Sequence, residues 1–259
     1  MFSFGDITLY SSSLILAVGF LVSLFVFWKM VRMEIVEVEK IFDLILCIII
    51  GALIIGRILY VLENMNDFQM KIDRIIHIYK YPGFNFWGIC VGFALAALLY
   101  MKKIKINKMH LLDLLSTSFS LFLSFVFLSF LFSGVYAGIS MPSFGINFVG
   151  FVGKRMPIQL FAAILFFIFH LYAKNKINKK NNGYIYWLFL AYTFSIFLTL
   201  EFFRRDKIYF EGILINKFIY FAVALFCAIV VILKYKSVLK SEIQKYLFFL
   251  KVQKNINKQ

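Results

Sequence analysis

Arg57 lies inside an apolar run, Ile41 to Leu62, that is long enough to cross a bilayer. A guanidinium at the centre of such a helix costs about 2.5–3.5 kcal/mol on insertion scales. It therefore points to a bound ligand or an ion partner, unless it sits near a helix end and snorkels to lipid headgroups. Its surroundings, Gly56-Arg57-Ile58-Leu59-Tyr60-Val61-Leu62-Glu63-Asn64, place a charge, a phenol, a carboxylate and an amide within about two helical turns. Similar groups flank other apolar runs: Arg155 and Gln159, then Glu201 and Arg204. Together they suit a phospholipid headgroup. Guanidiniums bind phosphate oxygens in a fork, while amides and carboxylates bind glycerol hydroxyls.

The elements that must carry these residues are membrane helices. The chain is 62% apolar and only 16% charged, against about a quarter charged in soluble domains. About seven spans of the length a ~30 Å hydrocarbon core requires can be drawn: Tyr10–Val31, Ile41–Leu62, Gly83–Met101, Leu111–Phe132, Pro157–Lys174, Tyr184–Phe203 and Gly212–Lys234. The expected fold is an all-α membrane protein, one polytopic domain over residues 1–234, followed by a basic cytoplasmic tail at 235–259. Alternate loops carry 18 lysines and arginines against 8 in the opposite set, which puts the N-terminus outside and the C-terminus in the cytoplasm. Segment Asn66–Tyr81 mixes isoleucines with Lys71, Asp73, Arg74 and His77 and is expected to form an interfacial helix. The start of the chain lacks a signal-peptide pattern, so the first apolar run is expected to be retained.

With that orientation Arg57, Tyr60, Glu63 and Asn64 fall in the outer part of the second span. Arg155 and Gln159 fall at the outer start of the fifth, and Glu201 and Arg204 at the outer end of the sixth. Snorkelling would scatter such residues over both leaflets; a shared depth argues for a polar cavity. Arg57 and Glu201 are candidate partners, because buried charges in lipid normally pair.

The net charge of +15 concentrates in short loops and speaks for anionic lipid, not for nucleic acid. Cys47, Cys90 and Cys227 lie in apolar runs without paired spacing, and neither a metal site nor a cofactor is expected. Ser116, Ser120 and Ser124 recur every four residues and read as close helix packing. His77, His110 and His170 share no spacing and read as loop or interface residues.

Over nearly its whole length, and in order, the chain resembles the prolipoprotein diacylglyceryl transferase family. Gly56-Arg57-Ile58-Leu59-Tyr60 with Asn64 is similar to the family's glycine-arginine-tyrosine signature. Gly83-Phe84-Asn85-Phe86-Trp87-Gly88 through Gly92 resembles its GxSFHGGxxG segment, and Asp113 matches an aspartate at the head of the fourth span. Gly134, Gly138 and Pro142 to Phe148 follow the family's loop after that span. Arg155-Met156-Pro157-Ile158-Gln159-Leu160-Phe161 looks like its RHPxQLYE motif, and Glu201-Phe202-Phe203-Arg204-Arg205-Asp206 like EFFRxPD. The resemblance implies a multi-pass protein of the bacterial inner membrane. It also implies transfer of diacylglycerol from phosphatidylglycerol to the thiol of a lipobox cysteine in a preprolipoprotein, with glycerol phosphate leaving.

The chain departs from the family at chemically important positions. Trp87 stands where the family has a histidine, and Phe127, Phe130 and Phe197 where it has arginine, asparagine and arginine. Ser133, Val135, Met156 and Ala162 replace further polar groups. A tryptophan cannot take a proton from a thiol, and phenylalanine offers a departing phosphate no charge. Two readings follow. One is a divergent transferase in which Arg57, Tyr60, Arg155, Gln159, Glu201 and Arg204 bind the phospholipid. The other is a non-catalytic relative that binds phospholipid or lipoprotein precursors. No catalytic residue is assigned; Tyr60, Tyr136 and Glu201 are candidates for a replacement base.

Overall fold

A computed structural model describes residues 2–4, 7–33, 38–69, 71–78, 80–103, 107–143, 145–148, 151–177, 182–204, 215–241 and 244, without the side chains of residues 2–4, 7–9, 38, 86, 87, 90, 103, 215 and 216. Most of the basic tail expected at 235–259, from residue 245 on, lies outside the described residues.

Each apolar run becomes a helix because only a helix satisfies every backbone N–H and C=O within one lipid-exposed segment. Six helices are long and apolar enough to span a membrane: α1 (Ser11–Arg32), α2 (Val38–Glu63), α6 (Lys108–Ser133), α7 (Ile158–Lys176), α8 (Tyr184–Phe203) and α9 (Ile215–Lys234). The third expected span is a shorter helix, α5 (Phe86–Tyr100), continued by a 3₁₀ turn at Met101–Lys103. Its 15 residues reach about 22 Å, short of the ~30 Å core. Asn85 fixes where α5 starts, because its side-chain oxygen accepts the Gly88 N–H at 2.7 Å. The expected interfacial helix is broken into α3 (Met65–Phe68) and α4 (Ile72–Ile76), since Gln69 turns left-handed at φ 49°. Among the described residues two short hairpins accompany the helices: β1 (Phe2–Phe4) with β2 (Ile7–Leu9), and β3 (Ile146–Asn147) with β4 (Lys154–Arg155), both antiparallel.

The chain forms two compact units, residues 30–108 and residues 1–29 with 109–259. In the first, α2 and α5 meet backbone to backbone. A Cβ on Gly92 would sit 2.3 Å from the Gly51 carbonyl oxygen, and one on Gly88 would sit 2.8 Å from the Gly56 Cα. Small residues permit this approach where lipid offers no hydrophobic drive between helices.

In the second unit the core lies among α6, α7, α8 and α9, around Ala162, Phe166 and Ala173, all fully buried. The serine stripe of α6 divides its work. Ser116 and Ser120 bond back to carbonyls of their own helix, while Ser124 donates to the Ala163 carbonyl of α7 at 2.8 Å. His170 pairs with the Thr117 carbonyl at 2.8 Å and so joins α7 to α6. The start of α8 is capped from a distance. Gly183 has no capping side chain, and Asp113 of α6 accepts the N–H groups of Gly183 at 2.6 Å and of Tyr186 at 2.7 Å.

Removing that carboxylate leaves two N–H groups without an acceptor. Asp113→Ala is expected to destabilise the detergent-solubilised protein by about 2 kcal/mol. Asp113→Asn, which keeps one acceptor oxygen, should fall between wild type and alanine in thermal unfolding. Equal midpoints for all three proteins would refute the capping role.

Candidate functional site

In the larger unit the polar residues are gathered by irregular backbone that follows α6. Gly134 at φ 72° and Tyr136 at φ 61° turn the chain back. Residues 138–141 then run as a strand-like segment between the end of α8 and β4. On one side Ile139 N–H donates to the Phe203 carbonyl at 2.9 Å, and Gly138 bridges Arg204. On the other, Met156 N–H donates to the Ile139 carbonyl at 3.1 Å, Met141 N–H to the Lys154 carbonyl at 3.0 Å, and Ser140 bridges Arg155. Arg204 and Arg155 are thereby placed on the two flanks of one three-residue segment. Only glycine fits at its head, because a Cβ on Gly138 would lie 2.5 Å from the Met156 carbonyl oxygen.

Gln159 and Glu201 are brought to the same framework. Gln159, fully buried in the first turn of α7, donates its amide to the Val135 carbonyl at 2.8 Å, just before Tyr136. Glu201, buried in the last turn of α8, holds one carboxylate oxygen 3.9 Å from the Arg204 guanidinium. The arginines also meet aromatic faces. Arg204 Cζ lies 4.5 Å from the Tyr136 ring centroid, and Arg155 Cζ lies 5.8 Å from that of Phe151. Among the described residues, four buried polar atoms of this group have no hydrogen-bond partner: Arg155 Nε, Arg204 Nε, Gln159 Oε1 and Glu201 Oε1. Such atoms normally cost about 1–3 kcal/mol each, so four in one framework favour a polar ligand.

Beneath them lies an aromatic cluster. Phe127 is buried and stacks on Phe166 at 5.6 Å, with Phe130 at 5.8 Å and Phe197 at 6.1 Å around it. Phe197 continues to Tyr220 at 5.7 Å. These three phenylalanines fill space with one another. Trp87 falls in the first turn of α5, and its side chain lies outside the described residues.

In the smaller unit Arg57 is buried, and three guanidinium nitrogens donate to carbonyls. Nε reaches Ile75 at 3.0 Å, one terminal nitrogen reaches Gly83 at 2.9 Å, and the other reaches Arg74 at 3.1 Å. Its Cζ lies 5.0 Å from the Phe68 centroid and 5.8 Å from that of Tyr60. Tyr60 in turn packs on Gly83, where a Cβ would lie 2.1 Å from the phenol carbon. Asn85 donates to Glu63 at 2.5 Å, and Asn64 donates to the Tyr60 carbonyl at 2.8 Å. Arg57 thus ties the segment from Asn64 to Asn85 onto α2. Each of the residues Arg57 and Glu201 has partners within its own unit: carbonyls for Arg57, Arg204 for Glu201. Sequence gives no signal for this, because every residue carries a carbonyl. It also gives no signal for the meeting of Tyr136 with Arg204, which depends on a left-handed turn.

A polytopic α-helical membrane protein with an arginine beside a buried carboxylate, and a second arginine across one backbone segment from it, is the class that this fold and site define. Residues 1–234 match the family model described as prolipoprotein diacylglyceryl transferase, and the chain belongs to that family. Similar proteins include the phosphatidylglycerol–prolipoprotein diacylglyceryl transferase of Rickettsia typhi, 32% identical over 224 residues, covering 80% of this chain and 84% of that one. Those of Rickettsia akari and Rickettsia canadensis are each 30% identical, covering 83% and 79% of this chain and 87% and 83% of theirs.

Two variants test the framework. Arg57→Met should destabilise the protein by at least about 2 kcal/mol, and Arg57→Lys should not rescue it, since one ammonium cannot reproduce a planar fork to three carbonyls. Thermal unfolding in detergent reads both, and a lysine variant as stable as wild type would refute the fork. Gly138→Ala should lower the midpoint as well, because the methyl group must displace β4 or the segment beside it. An unchanged midpoint would show that the segment is not held as described.

Proposed function

We propose that this chain binds phosphatidylglycerol in the bacterial inner membrane, with its N-terminus outside and its C-terminus in the cytoplasm. Arg155 and Arg204 take the headgroup phosphate, while Gln159 and Glu201 take the glycerol hydroxyls. Arg57 and Tyr60 act as phospholipid ligands on the smaller unit, Arg57 through the guanidinium N–H groups that the carbonyls leave over and Tyr60 through its hydroxyl. The observation that carries this reading is the backbone of Arg204 on one flank and of Arg155 on the other flank of residues 138–140, with an unpartnered Nε on each arginine and unpaired oxygens on buried Glu201 and Gln159. A phosphate diester answers two guanidiniums, and its glycerol hydroxyls answer the carboxylate and amide oxygens.

The reaction this binding serves is diacylglyceryl transfer to a lipobox cysteine of a preprolipoprotein. The thiolate sulfur forms a bond to the glyceryl carbon as that carbon's bond to phosphate oxygen breaks. Glycerol phosphate leaves with the electron pair, and a base takes the thiol proton. Arginines at the phosphate offset the charge that develops on the leaving group. A second reading, a family member that binds phospholipid or lipoprotein precursors without transfer, is favoured by the aromatic cluster at Phe127, Phe130 and Phe197.

Complementation of a transferase-depleted strain separates the two, with prolipoprotein lipidation followed by gel shift. Restored lipidation, lost in Arg155→Ala and Arg204→Ala, supports transfer. Absent lipidation with preferential retention of phosphatidylglycerol by the purified protein supports binding alone. Equal retention of phosphatidylglycerol and phosphatidylethanolamine would overturn the headgroup site in both readings.

A further inference from the structure

Tyr136 holds a conformation that bulky side chains avoid. At φ 61° it is one of two non-glycine residues with positive φ among those described, and the other is Gln69. A strained backbone of this kind persists only where its surroundings over-determine it, and such residues cluster at ligand sites. Here the surroundings are identifiable. The Tyr136 ring stacks on Phe130 with centroids 5.7 Å apart and planes 15° apart, and meets Phe127 at 6.3 Å. The guanidinium of Arg204 lies over the same ring, 4.5 Å from its centroid. Two residues on, Gly138 bridges the backbone of Arg204. Arg204 is therefore gripped at both ends by one short stretch of chain, its main chain by Gly138 and its guanidinium by Tyr136.

A guanidinium held over a ring is attracted to the π cloud through its charge, and its N–H groups directed away from the ring can meet an anion. The Arg204 Nε has no hydrogen-bond partner among the described residues, and the nearest Glu201 oxygen stands at 3.9 Å, beyond hydrogen-bonding range. From this geometry we propose that Tyr136 is a positioning residue. It orients the Arg204 fork toward a phosphate oxygen and so sets the preference for an anionic over a zwitterionic headgroup. The inference rests on the headgroup reading given above. It gives Tyr136 a task that needs its ring and not its hydroxyl, and one that no local sequence pattern marks.

The test uses the full chain in vesicles of equal parts phosphatidylglycerol and phosphatidylethanolamine, with the lipid retained on purification measured by mass spectrometry. Wild type should retain phosphatidylglycerol preferentially, and Tyr136→Phe should keep that preference. Tyr136→Gly, which suits a positive φ, should lose about 5- to 10-fold of it, the scale of one cation–π contact. Tyr136→Asn, whose side chain also tolerates this conformation, should lose as much. Arg204→Gln should show a similar loss, with no further loss in the double variant Tyr136→Gly/Arg204→Gln. If Arg204→Gln loses the preference but both Tyr136→Gly and Tyr136→Asn keep it, the positioning role is overturned and the headgroup site stands. Additive losses in the double variant would likewise overturn it. A wild-type protein with no preference overturns the headgroup reading itself.

Discussion

A guanidinium within an apolar span must find oxygen atoms or aromatic faces near it, because lipid offers neither. In this chain both are supplied by backbone that leaves regular helix. The segment from Asn64 to Asn85 folds over the end of α2 and turns three of its carbonyls on Arg57. The segment after α6 turns through Gly134 and Tyr136 and pairs with both β4 and the end of α8. Irregular backbone survives at such places only where its polar groups are paired, and carbonyls of Arg74, Ile75, Gly83, Val135, Ile139 and Lys154 are paired here. The remaining architecture, helices packed through glycines or through phenylalanine, is what makes room for these two excursions.

The arginines differ in what the fold leaves available. Arg57 directs three nitrogens to the main chain and is buried between the rings of Phe68 and Tyr60. Arg204 is held by a ring and a backbone bridge, and its nearest carboxylate oxygen is 3.9 Å away. Arg57 is first a tie, with only the N–H groups its three carbonyls leave over; Arg204 keeps more of its hydrogen-bonding capacity. Membership of the prolipoprotein diacylglyceryl transferase family fits this contrast. Residues of the framework motifs have structural tasks here, Asp113 capping α8 and Asn85 capping α5. Phe127, Phe130 and Phe197, which stand where polar groups are expected, have become packing.

Much of the fold could be read from the chain. The sixth span was legible to the residue, Tyr184–Phe203, because an apolar run bounded by Gly183 and Arg204 leaves little freedom. Others ended within a few residues of expectation, as with α2 at Glu63. The interfacial helix was misjudged because isoleucine spacing cannot register a left-handed Gln69. Arg155, Gln159 and Arg204 meet residues 135–140, and Glu201 meets Arg204, which accords with polar residues clustered at the ends of neighbouring apolar runs. What joins them was not foreseeable, since Gly138 and Ser140 act through main-chain bonds that carry no side-chain signature. Tyr136 was hidden for the same reason: its contact with Arg204 is set by a dihedral angle.

The cap on α8 has a consequence for how the chain enters its membrane. Asp113 precedes Gly183 by 70 residues, so the ribosome delivers the acceptor long before the amides that need it. An acceptor made before its donors means that the amides of α8 find their partner already present in the chain. Synthesis order and hydrogen-bond order coincide at this joint.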